Sequence, residues 1–257
     1  MAGSSVAFER RSGRPSAPAW IRSILSGWLP RIEERIGTRL ARAPSGRLEP
    51  ALGEGQYGQV FALQGDPTRV FKITSDDTEG PLTAHIRTLQ QQDQKIDGWN
   101  VIQVTTRIDL VFEFKPGKPF RVKGVPARVF GILREAVSCV DVSPEMAALL
   151  NRYTEGWEVN CSNFRQVDRV LGDLKTSSAL HKLVSGEAGP DGVRLGRFLE
   201  WMGGENAPIM DVHESNVAYR MFDGPSGARV GQAVIYDFGV SKVCRPLLGY
   251  LEAMERR

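Results

Sequence analysis

The sequence predicts an α+β fold, with a small antiparallel sheet first, helices after it and a long β-hairpin near the end. Three observations predict it. Between residues 48 and 138, β-branched and aromatic runs such as Gln59-Val60-Phe61-Ala62-Leu63 and Val70-Phe71-Lys72-Ile73 are separated by turn residues such as Gly65-Asp66-Pro67-Thr68. After Asp141 the apolar residues fall at helical spacing. From Val217 to Tyr236, two strand-like runs flank the turn Asp223-Gly224-Pro225-Ser226-Gly227.

Composition bounds the answer. A chain of 257 residues is long enough for one large domain or two lobes with real cores. Its 41% apolar and 25% charged residues are ordinary for a globular protein. No apolar run reaches membrane-spanning length, and the N-terminus lacks a continuous signal-peptide core. Cys139, Cys161 and Cys244 are odd in number and widely spaced, which disfavours a disulfide framework and a zinc knuckle. The histidines, His85, His181 and His213, show no metal-ligand spacing. A reducing, cytoplasmic setting is expected.

The N-terminal part divides in two. Residues 1–19, rich in Ser, Gly, Pro and Ala, are expected to be mobile. Residues 20–47 form a basic amphipathic extension. Trp20, Ile21, Ile24, Leu25, Trp28, Leu29, Ile32, Ile36 and Leu40 recur at three- and four-residue spacing, with Arg22, Arg31, Arg35, Arg39 and Arg42 among them. The pattern predicts a helix over 20–42, broken or restarted at Pro30. Residues 1–47 carry nine Arg and no Lys against three Glu, a net +6 in a chain whose total is +3. Docking on the body is expected; contact with a membrane surface or acidic partner is one alternative, and an organelle transit peptide, disfavoured by Glu33 and Glu34, is the other.

The first lobe, 48–138, opens with Gly53-Glu54-Gly55-Gln56-Tyr57-Gly58-Gln59-Val60, a G-x-G-x-x-G-x-V loop between strands. The strand-like segment after it disfavours a dinucleotide-binding unit, where a helix follows, and no Walker-type sequence is present. Lys72 lies on the next strand, fourteen residues after Gly58. Residues 74–79 look like a helix start, with Leu82, Ile86 and Leu89 continuing one face. Strands are expected at 110–114 and 129–133. In the second part, 139–257, helices are expected at 144–153, 164–184 and 194–202, with 186–192 as a loop. Asp211-Val212-His213-Glu214-Ser215-Asn216 then enters the hairpin, which ends at Asp237-Phe238-Gly239. The hairpin gives a geometric reason for Asn216 and Asp237 to be neighbours.

Glycine loop, strand Lys, D-x-x-x-x-N and D-F-G, in this order, make the chain resemble the protein-kinase-like superfamily. The resemblance covers roughly residues 48–243 and implies a two-lobed fold, ATP and Mg²⁺. It assigns Gly53, Gly55, Gly58 and Val60 to the loop over the triphosphate, where glycine lets backbone approach closely. It makes Lys72 the phosphate cation and Glu79, only seven residues later, its candidate partner. It places the interlobe hinge at Arg134-Glu135-Ala136-Val137, with the backbone of Glu135 and Val137 toward adenine. Asp211 becomes the carboxylate that orients the acceptor hydroxyl and takes its proton. Asn216 and Asp237 become oxygen ligands for a hard cation.

The departures shape the expected function. Ile209-Met210-Asp211 stands where protein kinases carry H-R-D, and the D-x-H-x-x-N segment looks more like that of small-molecule kinases. His213 reads either as a brace of this loop or as a contact to phosphate or acceptor. Only eighteen residues follow Gly239, so a truncated second lobe without a full activation segment is expected. The leading expectation is phosphoryl transfer from ATP to a Ser/Thr hydroxyl on a protein. A small-molecule phosphotransferase and a nucleotide-binding pseudokinase are the alternatives, and no nucleic-acid partner is expected.

Overall fold

The computed structural model describes residues 19–54, 57–76, 79–80, 82–84, 87, 105–113, 128–138, 140–154, 169, 172–173, 176–204, 212–223 and 229–237. They form an α+β structure in two compact units. Unit 1 takes residues 1–80 and 104–136, and unit 2 takes 81–103 and 137–257. The chain therefore passes from unit 1 to unit 2 between Ala136 and Val137, and residues 81–103, read from sequence as first lobe, belong to unit 2.

Among the described residues, unit 1 is an antiparallel sheet with a long helix packed on one face. Helix α1 spans Ala19–Ile36; the strands are β1 Gly53–Glu54, β2 Gly58–Leu63, β3 Asp66–Thr74, β4 Thr105–Glu113 and β5 Arg128–Glu135. Their order is β1-β2-β3-β5-β4. In β3, Phe71 pairs with Leu133 and Lys72 with Ile132, so alternation sends Phe71 and Ile73 to one face and Lys72 to the other. Ile21, Ile24, Leu25, Ile32 and Ile36 of α1 are buried with Leu40, Phe61, Leu63, Phe71, Ile73, Val129 and Leu133. The apolar stripe seen in the sequence is thus spent on the sheet, while Arg22, Arg31, Arg35 and Arg39 stay exposed. Trp28 is half-buried at the edge of this core, with the Arg31 guanidinium 5.2 Å from its ring centre. The side chain of Trp20 lies outside the described residues.

Two expectations for this segment are corrected. The helix is not broken at Pro30 but runs through it. Pro30 and Ser26, whose carbonyl would take the missing bond, are both exposed, so the lost hydrogen bond falls on the wet side. Nor does the helix reach residue 42. Gly37 has φ +69°, a left-handed residue that stops it one position after Ile36. The chain beyond runs beside the sheet instead: Ala41 N–H donates to Ala62 O, and Leu40 bridges Leu63. Glu33 fixes this exit, accepting from Leu40 N–H at 3.0 Å and from both arms of the Arg42 guanidinium.

Among the described residues of unit 2, helices pack against a hairpin. They include α2 Pro144–Thr154, α3 Ser178–Ser185 and α4 Gly189–Gly204, and the hairpin strands are β6 Val217–Asp223 and β7 Arg229–Ile235. Met146, Leu150, Leu180, Leu183, Leu195, Phe198, Val217, Ala233 and Ile235 form its core. Burial in that core pushes the Tyr153 phenol pKa upward. A Cβ on Gly196 would meet Leu183 Cβ at 2.9 Å, so glycine sets the close approach of α4 to α3. The expected loop 186–192 is shorter than the sequence suggested. Gly186, at φ +93°, caps α3, and α4 starts at Gly189, with Pro190 and Asp191 in its first turn as helix starts prefer.

Candidate functional site

In unit 1 the sequence motifs meet around Lys72. The tight β2–β3 turn sets their register. Thr68 donates its backbone N–H and hydroxyl to Asp66, and Arg69 binds the other carboxylate oxygen. The Thr68 hydroxyl, followed by Arg69, holds the Asp66 carboxyl below its usual range. Val60 then faces Lys72 across the ladder, and Gly53 faces Val60. At the other end, Ser75 donates both its N–H and hydroxyl to Tyr57 O, tying the tip of the glycine loop to the end of β3. Gly55 lies outside the described residues.

Gly58 is glycine for a reason independent of any ligand. A Cβ there would sit 2.3 Å from Ile73 O and 3.1 Å from Thr74 Cα. These are backbone atoms and cannot rotate away. Gly58→Ala is expected to destabilise the protein by about 1–3 kcal/mol through overpacking. Melting curves with and without Mg·ATP check it: a loss of stability without nucleotide is expected, and an unchanged melting temperature would contradict the close packing.

The Lys72 ammonium lies 2.8 Å from Glu79 Oε1, and their side chains are only 12% and 3% exposed. Glu79 therefore does more than sit near a helix start. The same Oε1 also accepts from Arg134 at 2.8 Å, and that side chain is 2% exposed. Three charged groups thus share one buried contact, the arrangement in which loss of one partner is costly. Arg134 was missed as a site residue. Its signal was a charge directly after the apolar run Val129-Phe130-Gly131-Ile132-Leu133, on the same alternation as Ile132. At the expected hinge, Glu135 pairs with Arg69, and Ala136 N–H donates to Thr68 O.

In unit 2, Val137 is buried with Ala218 and Val234. The second set of motif residues gathers at one end of the β6–β7 hairpin. Val217 pairs with Ile235, and Tyr236 N–H donates to Asn216 O at 3.0 Å, so Asp237 follows directly on the last rung. Asn216 is buried and Asp237 half-buried. Asn216 ends a 3₁₀ turn, Glu214–Asn216, that is braced from several sides. His213 Nδ1 accepts from Ser215 N–H at 3.2 Å, which requires an unprotonated Nδ1. The Tyr236 hydroxyl donates to Ser215 O at 2.6 Å, and Asn151 donates to Glu214. His213 is thus seen as a brace of the turn. Asp211 lies outside the described residues.

Among the described residues, no three His, Cys, Asp or Glu side chains cluster as a metal site. Asn216 and Asp237 could hold Mg²⁺ only in the other usual way, in which one or two protein oxygens act with phosphate oxygens. Among the described residues no helix is long and apolar enough to cross a membrane. Comparison of the chain with known protein families, with curated proteins and with solved structures finds no match in any of the three.

Proposed function

We propose that the protein is a kinase-like, ATP- and Mg²⁺-dependent phosphotransferase acting on a hydroxyl, with Ser/Thr on a protein as the acceptor. The buried Lys72–Glu79 pair carries this reading. A Lys held by a carboxylate, on the strand after a glycine turn, is suited to neutralising phosphate charge, which is most of what phosphoryl transfer needs from a protein. Asn216 and Asp237 support it by standing together at a braced hairpin end.

The roles follow from the chemistry. Lys72 draws charge from the phosphates, and Glu79 orients Lys72. Asn216 and Asp237 would hold Mg²⁺, which supplies further neutralisation when bound. Asp211, assigned from sequence, orients the acceptor hydroxyl and takes its proton as the new P–O bond forms. The bond from the γ-phosphorus to the bridging oxygen breaks, and ADP leaves. Incubating the purified protein with γ-labelled ATP, alone and with cell extract, tests this. Label on Ser/Thr of protein bands is expected. Label on small metabolites would replace the acceptor, and no label with no nucleotide binding would sink the proposal.

A second test addresses the cation. Lys72→Met is expected to lower transfer by roughly 10²-fold, the usual loss when one preorganised charge donor is removed. Nucleotide affinity should fall less, because contacts to the base survive. Lys72→Arg should not restore the rate, since a planar guanidinium is not a compact point charge. Steady-state rates and calorimetric binding check both, and full activity in Lys72→Met would remove Lys72 from the site.

A further inference from the structure

Lys72 and Arg134 stand on one face of the sheet, and Glu79 meets both there. Arg134 pairs with Val70 on β3, and Lys72 is two residues along the same strand, so both side chains stand on the same side. Both reach Glu79 Oε1 at 2.8 Å, so the two cations lie no further apart than twice that distance. Of the three, Lys72 is the most exposed.

The two cations differ in what they can do. A guanidinium stays charged and holds its fork rigidly, whereas an ammonium on a flexible stem can turn and can lose its proton. With Lys72 as the sole described partner, Glu79 would become an uncompensated buried carboxylate whenever Lys72 turned toward an anion. Arg134 removes that obstacle, because Glu79 stays paired. Repulsion between the neighbouring cations also loosens the hold of Glu79 on Lys72.

We propose that Arg134 is a positioning residue that shares the Glu79 carboxylate and so weakens the hold of Glu79 on the Lys72 ammonium. The proposal rests on the reading of Lys72 as the phosphate cation. It differs from a packing role in the sign of one effect. If Arg134 only fills space, its removal loosens the cluster and exposes Lys72. If it shares Glu79, its removal tightens the Lys72–Glu79 pair.

The acylation rate of Lys72 in the full chain distinguishes the two. It is read by mass spectrometry of the Lys72 peptide after treatment with an amine-acylating reagent across a pH series. Arg134→Met is expected to slow acylation by about tenfold or more, as expected when a like charge within a few ångströms is removed. The midpoint of the pH–rate profile should move upward. Glu79→Gln should do the opposite, and in a Glu79→Gln background Arg134→Met should slow acylation less, by the direct like-charge effect alone, whereas an equal slowing in both backgrounds would overturn the shared carboxylate. Arg134→Gln should behave like Arg134→Met and replaces it if that variant does not fold. Acylation at the wild-type rate or faster in the Arg134 variants would overturn the role of Arg134. Mg·ATP is expected to protect Lys72 in the wild type. Absence of protection, with the Arg134 effect intact, would count against phosphate binding and not against the shared carboxylate.

Discussion

Asp237→Ala is expected to lower phosphoryl transfer by roughly 10²-fold or more, the scale of losing a group that stabilises charge in the transition state. It should leave the β6–β7 hairpin folded, so that the loss of rate can be read on a folded protein. Asp237 follows the last rung of the β6–β7 hairpin rather than lying within it, and it is half-buried. The hairpin is held by its ladder, by the Tyr236–Asn216 bond and by Tyr236 on Ser215. Asp237→Asn separates charge from shape: it keeps an oxygen ligand but not the anion, and is expected to lie between Asp237→Ala and wild type, closer to Ala. Titration of activity with Mg²⁺ should show a raised requirement in the Asn variant. Transfer at the wild-type rate by folded Asp237→Ala would remove Asp237 from the metal site.

Removing residues 1–45 is expected to abolish cooperative folding. Ile21, Ile24, Leu25, Ile32, Ile36 and Leu40 are all buried on the sheet or beside it. Each such side chain is worth about 1.5–3 kcal/mol on burial, an upper estimate because the unfolded chain hides some surface already. Together they rival the roughly 5–15 kcal/mol that holds an ordinary domain folded. A milder variant gives a graded reading. Ile32→Ala leaves the helix in place but empties a site only 2% exposed, and should lower the melting temperature by about 5–15 °C. A 46–257 chain that melts like the full chain would contradict the docking of α1. Sedimentation with anionic vesicles at low salt completes the comparison. Binding that needs residues 1–45, together with unchanged melting, would give the helix to a membrane surface instead.

Much of this was legible because local chemistry and the observed structure agree. The hairpin could be read from a five-residue turn between two apolar runs, and α2 appeared within one residue of its expected end. The α1 stripe was legible because its partner is a flat sheet that needs one apolar face. What failed was where local patterns were interrupted by one residue. Gly37 ends α1 although apolar spacing continues through Leu40. Pro30 does not end it, because the missing bond faces water. Gly186 and Gly189 looked like a long loop but are a helix cap and a helix start. At the site, Lys72 and Glu79 were named from motif order, and the structure brings them together. Arg134 could not be found that way, since its role depends on which strand lies beside β3.

The covering of the sheet by α1 has a consequence for how the chain assembles. The helix is made early during synthesis, yet its partners Val129 and Leu133 come more than ninety residues after its end at Ile36. Until β5 exists, the underside of α1 has only part of its seat, and an amphipathic helix with exposed isoleucines waits in solution. Such distant contacts raise the entropy lost in closing the chain and slow folding relative to a unit built from neighbours. The wait also spans residues 81–103, which belong to the other unit, so unit 1 is interrupted in the chain. No single uninterrupted stretch of this sequence contains unit 1 alone, and cutting the chain after Gly80 would leave the sheet without β4 and β5.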